Sequence, residues 1–155
     1  MRAMTPDIEV SRDIAAAPAT VFAAITDITR MGEWSPETIG AEWNEGSDVA
    51  AVGATFTGHN KAGDAEWSTN ATIVELVPNE RFFFDCDLNG FVFSSWGYVI
   101  EGTEDGCRVT ELSQNLIPEE MRSASTAISG VEDRGSHNRE TMTTTLDRLA
   151  AAVEA

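Results

Sequence analysis

Positive charge is scarce in this chain. Lys and Arg together number 10 against 26 Asp and Glu in 155 residues, for a formal net charge of -16. Such a surface repels the dense phosphate charge of nucleic acid and anionic membrane faces. Nucleic acid is therefore not an expected partner, and most of the acid reads as a solvated skin. Cysteine is equally sparse. Cys86 and Cys107 form no CxxC pair and have no further ligands nearby, so neither a disulfide framework nor a zinc site is expected, and both read as reduced strand residues. No apolar run approaches the roughly 20 residues that cross a bilayer. Met1 to Val10 lacks a basic segment followed by an apolar one, the mark of a secretory leader. A cytoplasmic protein with no membrane insertion is the expectation. There is no Gly-x-Ser-x-Gly elbow, and Gly53, Gly58 and Gly63 are not followed by the Lys-Ser/Thr of a phosphate loop. No cofactor is expected. Linkers, repeats and low-complexity tracts are also missing, and the length fits one domain, 1–155.

What is present is an ordered succession of hydrophobic periods. Ile8, Val10 and Ile14 alternate with polar residues as a first strand. Pro18 opens a short helix, where its missing N–H costs nothing, and Val21, Phe22 and Ile25 share one of its faces. A second short helical turn runs from Ile28 to Trp34 and ends at Ser35-Pro36. The period then changes to two: Ala41 to Glu45, Thr55 to Asn60, Trp67 to Val77, Arg81 to Leu88, Phe91 to Glu101 and Cys107 to Leu116 read as strands. The turns between them are short, and Asn89-Gly90 is a type I′ hairpin signal. An antiparallel meander follows. The stretch from Pro118 to about 133 reads as a loop, a broken helix or a lid.

A helix from about Val131 or Arg134 to near Val153 closes the chain. Met142, Leu146, Leu149 and Val153 form its apolar stripe. Followed toward the N-terminus, the same face carries Asn138, Gly135 and Val131. A fully packed core needs bulk along the whole stripe, so the missing volume points to a cavity beneath that half.

This order, and the words Ala17-Pro18-Ala19-Thr20-Val21-Phe22, Asp27 to Glu37, Val77-Pro78-Asn79-Glu80-Arg81-Phe82, Trp96-Gly97-Tyr98 and Met142 to Leu149, resemble the START-like, or SRPBCC, superfamily. The closest likeness is to its polyketide cyclase/dehydrase and lipid-transport-like branch. The resemblance covers almost the whole chain. It implies an α+β helix-grip fold: a curved antiparallel sheet of about seven strands around a long C-terminal helix, two short helices after the first strand, and a ligand cavity between sheet and helix. It implies a pocket but no shared catalytic set.

Trp67, Phe82, Phe84, Trp96 and Tyr98 converge on the concave face if the strand phases hold, with Trp34 closing one end and Asn138 and Met142 contributed by the helix. Rings with a polar tip suit a small hydrophobic or aromatic ligand such as a lipid, a polyketide or a related metabolite. The bland alternative is that these rings are core. Glu111 shares a strand face with Val109; pointing inward, its carboxyl would be driven toward the range useful in proton transfer. The opposite phase puts Leu112 inside and Glu111 in solvent, or paired with an arginine such as Arg139. Glu111, Tyr98 and His59 are the catalytic candidates of a cofactor-independent cyclase or dehydratase. His137 and Glu140 have metal spacing but no third ligand, so no metal is expected. A protein-interaction module or co-regulator, or a homodimer, is a further alternative, motivated by Phe83, Phe91 and Phe93 if they form an exposed patch.

Overall fold

A computed structural model of the chain describes residues 4–154. Met1–Ala3 and Ala155, which belong to the one-domain reading and in part to the stretch searched for a leader, lie outside the described residues. The strands are β1 (Ile8–Ile14), β2 (Thr38–Trp43), β3 (Thr55–Ala62), β4 (Ala65–Val77), β5 (Arg81–Leu88), β6 (Phe91–Thr103) and β7 (Gly106–Asn115). They form one antiparallel sheet in the order β1-β7-β6-β5-β4-β3-β2. Strands β2 to β7 are a plain meander, and β1 returns to pair with β7 from Ile8 opposite Ser113 to Ile14 opposite Cys107. Helix α1 (Pro18–Thr26) and α2 (Met31–Trp34), joined through a 3-10 turn at Ile28–Arg30, fill the connection from β1 to β2. A 3-10 turn at Glu119–Met121 and helix α3 (Arg122–Ser129) precede the long helix α4 (Arg134–Glu154). The sheet curls around α4, and the expected helix-grip fold is the one observed.

The local reasons are those of the sequence pattern. Asn89 and Gly90 both have positive φ, 53° and 86°, as a type I′ turn requires. Asp133 starts α4: its side chain accepts from the Ser136 backbone N–H at 3.1 Å and from the Ser136 hydroxyl at 2.9 Å, an N-cap bond three residues long. Gly130, with φ 73°, ends α3 in the left-handed region. The core gathers at the C-terminal half of α4. Leu146, Leu149 and Ala150 are buried there with Val21, Ala24, Ile25 and Ile28 from the helical prop and Phe82, Ile100, Cys107 and Val109 from the sheet. Each large apolar side chain so buried contributes about 1.5–3 kcal/mol.

Some boundaries differ from the pattern. Strand β2 begins three residues before Ala41 and ends two before Glu45, because Thr38 pairs with Asn60 through backbone register and a 2.9 Å side-chain bond. The stretch after Pro118 is partly helical. Phe83 is not an exposed residue: it is 5 % accessible and lies on the convex face over Gly97. Arg81 stacks on its ring at 4.6 Å while holding Glu75 with two bonds of 2.9 and 3.2 Å. Phe91 is exposed and Phe93 is half-buried at the mouth of a cavity, so the three do not share one surface patch.

Gly97 is required by this packing, since an added Cβ would enter the Phe83 ring. Gly97→Ala is therefore expected to lower stability by about 1–3 kcal/mol in urea denaturation. Adding Phe83→Leu should restore part of the loss; an alanine variant as stable as the parent would mean that the ring moves aside without cost.

Candidate functional site

Where α4 loses its bulk, the sheet and helix part. Asn138, Thr141 and Thr145 replace the leucines, and the Thr145 hydroxyl turns back to the Thr141 carbonyl at 2.7 Å. The space left is a cavity of about 290 Å³ between the concave face of β3–β7 and the N-terminal half of α4. Its walls include Phe56, Trp67, Ala71, Phe84, Phe93 and Trp96. The rings brace one another, with Phe56 edge-on to Phe84 at 5.3 Å and Phe82 behind it at 5.5 Å. Helix α3 covers one side with Ala124, Ser125, Ile128 and Ser129.

Two clusters of polar groups belong to the lining. At the closed end, Tyr98 on β6 stands opposite Glu111 on β7. Both line the cavity, at 7 % and 6 % accessibility. Burial pushes the Glu111 carboxyl up to about 8, and hydrogen bonding with Tyr98 works against that rise. Burial, the Glu111 charge and the hydrogen bond to Glu111 all hold the Tyr98 phenol well above its ordinary range. Among the described residues, Glu111 Oε1 is buried with no hydrogen-bond partner. At the open end, Arg134 donates to Glu37 Oε1 at 2.7 Å and to Asn138 Oδ1 at 3.1 Å, and its guanidinium lies 5.8 Å from the centre of the Trp67 ring. His137 Nε2 is 3.0 Å from the same Glu37 oxygen. Asn60 and Thr69 extend this polar strip along β3 and β4. Cys86 also lines the cavity, but burial raises its thiol to about 12, so it stays protonated and is no nucleophile.

Of the residues expected from the sequence, Trp67, Phe84, Trp96, Tyr98 and Asn138 line this cavity. Trp34, Phe82 and Met142 do not. Trp34, at 2 % accessibility, is packed into the helical prop, Phe82 lies wholly behind Phe84 and Tyr98, and Met142 is enclosed with its sulfur 3.6 Å from the Ser113 hydroxyl. His59 is on the other face of β3, half-exposed, between Ser68 at 2.9 Å and Glu42 at 2.8 Å. The alternation of β3 explains this: Phe56, Gly58 and Asn60 point inward, so His59 points out. Glu111 takes the inward phase. Leu112 is also buried, on the convex side, so neither alternative for Glu111 applies, and Arg139 is exposed. Arg134, Glu37 and Asn60 were not anticipated. Arg134 lies one helical turn before Asn138, a spacing that places it on the cavity face; Glu37 follows a helix end and carries no such signal.

A family described as polyketide cyclase / dehydrase and lipid transport matches residues 5–154. Among solved structures, protein CV1439 from Chromobacterium violaceum aligns at TM-score 0.72 and 19% identity, over 97% of this chain and 99% of that one. The Polyketide_cyc-like protein Cgl2372 from Corynebacterium glutamicum aligns at TM-score 0.55 and 28% identity, over 95% and 88%. The di-domain ARO/CYC StfQ from the steffimycin biosynthetic pathway aligns at TM-score 0.70 and 13% identity, over 95% of this chain and 50% of that one. No curated protein matches by sequence.

The raised Glu111 pKa fixes a sign. Between its ordinary value of 4.5 and about 8 the folded protein holds a proton that the unfolded chain has lost, so stability falls as pH rises through that window, at up to about 1.4 kcal/mol per pH unit. Glu111→Gln should flatten this slope and be more stable than the parent at pH 9 in denaturant titrations. Parallel pH profiles for the two proteins would refute the buried, protonated carboxyl.

Proposed function

This chain belongs to the polyketide cyclase/dehydrase and lipid transport family of the START-like superfamily, and on that premise we propose that it binds one small, ring-bearing hydrophobic molecule between its sheet and α4. The observation that carries the reading is a cavity of about 290 Å³ walled by Phe56, Phe84, Trp67 and Trp96, with Tyr98 and Glu111 in one part of its lining and Arg134, Asn138 and Asn60 in another. Aromatic walls favour a ring-bearing ligand by dispersion and ring contacts, and the two polar clusters set its direction. Trp67, Phe84, Trp96, Tyr98 and Asn138 are the contacts assigned to the ligand. The polar strip of Arg134, Asn138 and Asn60 at the open end accommodates its oxygen-bearing part.

A second reading, a cofactor-independent cyclase or dehydratase, is favoured by Glu111. A carboxyl that changes charge near pH 8 inside an apolar cavity is poised to move a proton on an enolisable ligand. The ARO/CYC name of StfQ accords with this reading. Tyr98 would hold the carboxyl in place; His59, on the outer face, has no part in it.

Two measurements separate the readings. At 100 times its Kd a true ligand adds about 2.7 kcal/mol, which for a chain of this length raises the melting temperature by about 5–11 °C. A panel of aromatic ketones, phenols and fatty acids should contain such a ligand. Gly58→Leu, which places a side chain into the cavity from a position where a Cβ meets only ordinary contacts, should abolish the shift while leaving the fold intact. A panel without any shift would remove the binding reading. Deuterium uptake from solvent into a bound enolisable ketone, lost in Glu111→Gln, is the result expected of the enzyme; tight binding without exchange leaves the carrier alone.

A further inference from the structure

The closed end of the cavity holds an unmet hydrogen-bonding requirement. Glu111 lines the cavity, and its Oε1 is buried with no partner among the described residues; an unsatisfied buried polar group of this kind costs on the order of what a hydrogen bond supplies. Tyr98 attends the carboxyl group without satisfying this oxygen. We propose that the closed end is a carbonyl subsite, in which Glu111 Oε1–H donates a hydrogen bond to a ketone-type oxygen at the buried tip of the ligand. The inference rests on the binding reading above and adds to it the chemistry of the ligand's buried end.

The surroundings decide between donor and acceptor. An ionised carboxylate would call for a cation, and among the described residues the cation lining the cavity is Arg134. Arg134 of α4 is tied to Glu37, while Arg12 of β1, outside the cavity lining, pairs with Asp147 of α4 through Nε at 3.3 Å and keeps a buried Nη1 that has no partner among the described residues. From β6 the facing titratable group is Tyr98, whose phenol is held neutral, and from β5 it is Cys86, whose thiol is held neutral. The polar groups of α4 on this cavity, Asn138, Thr141 and Thr145, carry no charge. The carboxyl therefore keeps its proton at neutral pH, in agreement with the upward displacement that burial produces. A protonated carboxyl has one O–H to give, and a carbonyl oxygen is the simplest acceptor that an otherwise apolar ligand can carry into a closed pocket. Phe84 and Trp96, opposite each other on β5 and β6, line the same cavity, which suits a ketone conjugated to a ring.

The test uses two probes of matched shape, 2-acetonaphthone and 2-isopropylnaphthalene, with Kd measured by quenching of tryptophan fluorescence. At pH 6.5 the ketone should bind about 10-fold more tightly than the hydrocarbon, the worth of one hydrogen bond in a dry site. Its affinity should fall as pH rises through about 8, where Glu111 loses the proton, while that of the hydrocarbon should change little. Glu111→Gln retains an N–H donor and should keep the preference for the ketone without the pH dependence. Glu111→Leu should bind both probes equally. Equal affinity of the two probes for the parent protein would overturn the carbonyl subsite and leave the binding reading standing. Failure of both probes to bind would count against the binding reading itself and take the subsite with it. A pH-dependent loss that persists in Glu111→Gln would assign the titration to another group and likewise overturn the proposal.

Discussion

The grip of the sheet on the C-terminal half of α4 is the constraint from which the rest follows. Leu146 and Leu149 are wholly enclosed by Val21, Ile25, Ile28, Ile100 and Val109. That contact fixes the helix axis relative to the sheet. With one half of the helix anchored, the other half has to lie over the concave face at the same height, whether or not its side chains reach the sheet. They do not reach it, because Asn138, Thr141 and Thr145 are short and polar. The cavity is thus a product of the same helix that makes the core, and the boundary between the two falls near Met142.

Polar groups inside such a space are stable only where something compensates for lost water. At the open end the compensation is internal: Arg134, Glu37, His137 and Asn138 satisfy one another, and Trp67 covers the guanidinium. At the closed end it is incomplete. Glu111 meets burial by holding its proton, and one of its oxygens still lacks a partner among the described residues. A fold selected for packing alone would place an apolar residue there, as it does at Val109 two positions before. The contrast between a self-satisfied mouth and an unsatisfied floor is what gives this cavity a direction.

The outer face of the sheet is built by different means. Phe83 and Leu112 are buried on the convex side, Arg81 and Glu75 clamp over Phe83, and Gly97 lets the ring approach the backbone of β6. This second packing layer stiffens β5, β6 and β7, the strands that carry Phe84, Tyr98 and Glu111. His59, Glu42 and Ser68 form a hydrogen-bonded trio on the convex face of β2–β4, outside the cavity lining, and read as a cross-strand bracket.

The order of elements, the meander, the Asn89-Gly90 hairpin and the void beneath the first turns of α4 were legible in the sequence, because each is a local matter of period, turn chemistry or side-chain size along one face. Five of the eight expected ligand contacts line the cavity for the same reason: strand alternation alone puts Trp67, Phe84, Trp96 and Tyr98 on one side, and the helical period adds Asn138. Depth was not legible. Alternation says that Phe82 and Phe84 share a face but not that Phe82 lies behind the cavity wall, and helical spacing cannot tell that Met142 is sealed against Ser113. Two choices belonged to the tertiary structure. The face taken by Glu111 depended on β7 packing between β1 and β6 with apolar partners on both sides of the sheet, so that Glu111 and Leu112 were both buried. The union of Glu37 with Arg134, 97 positions apart, depended on α2 meeting the start of α4. Sequence determines what each segment buries; which polar groups are left to face one another inside is decided only when distant segments close around the same space.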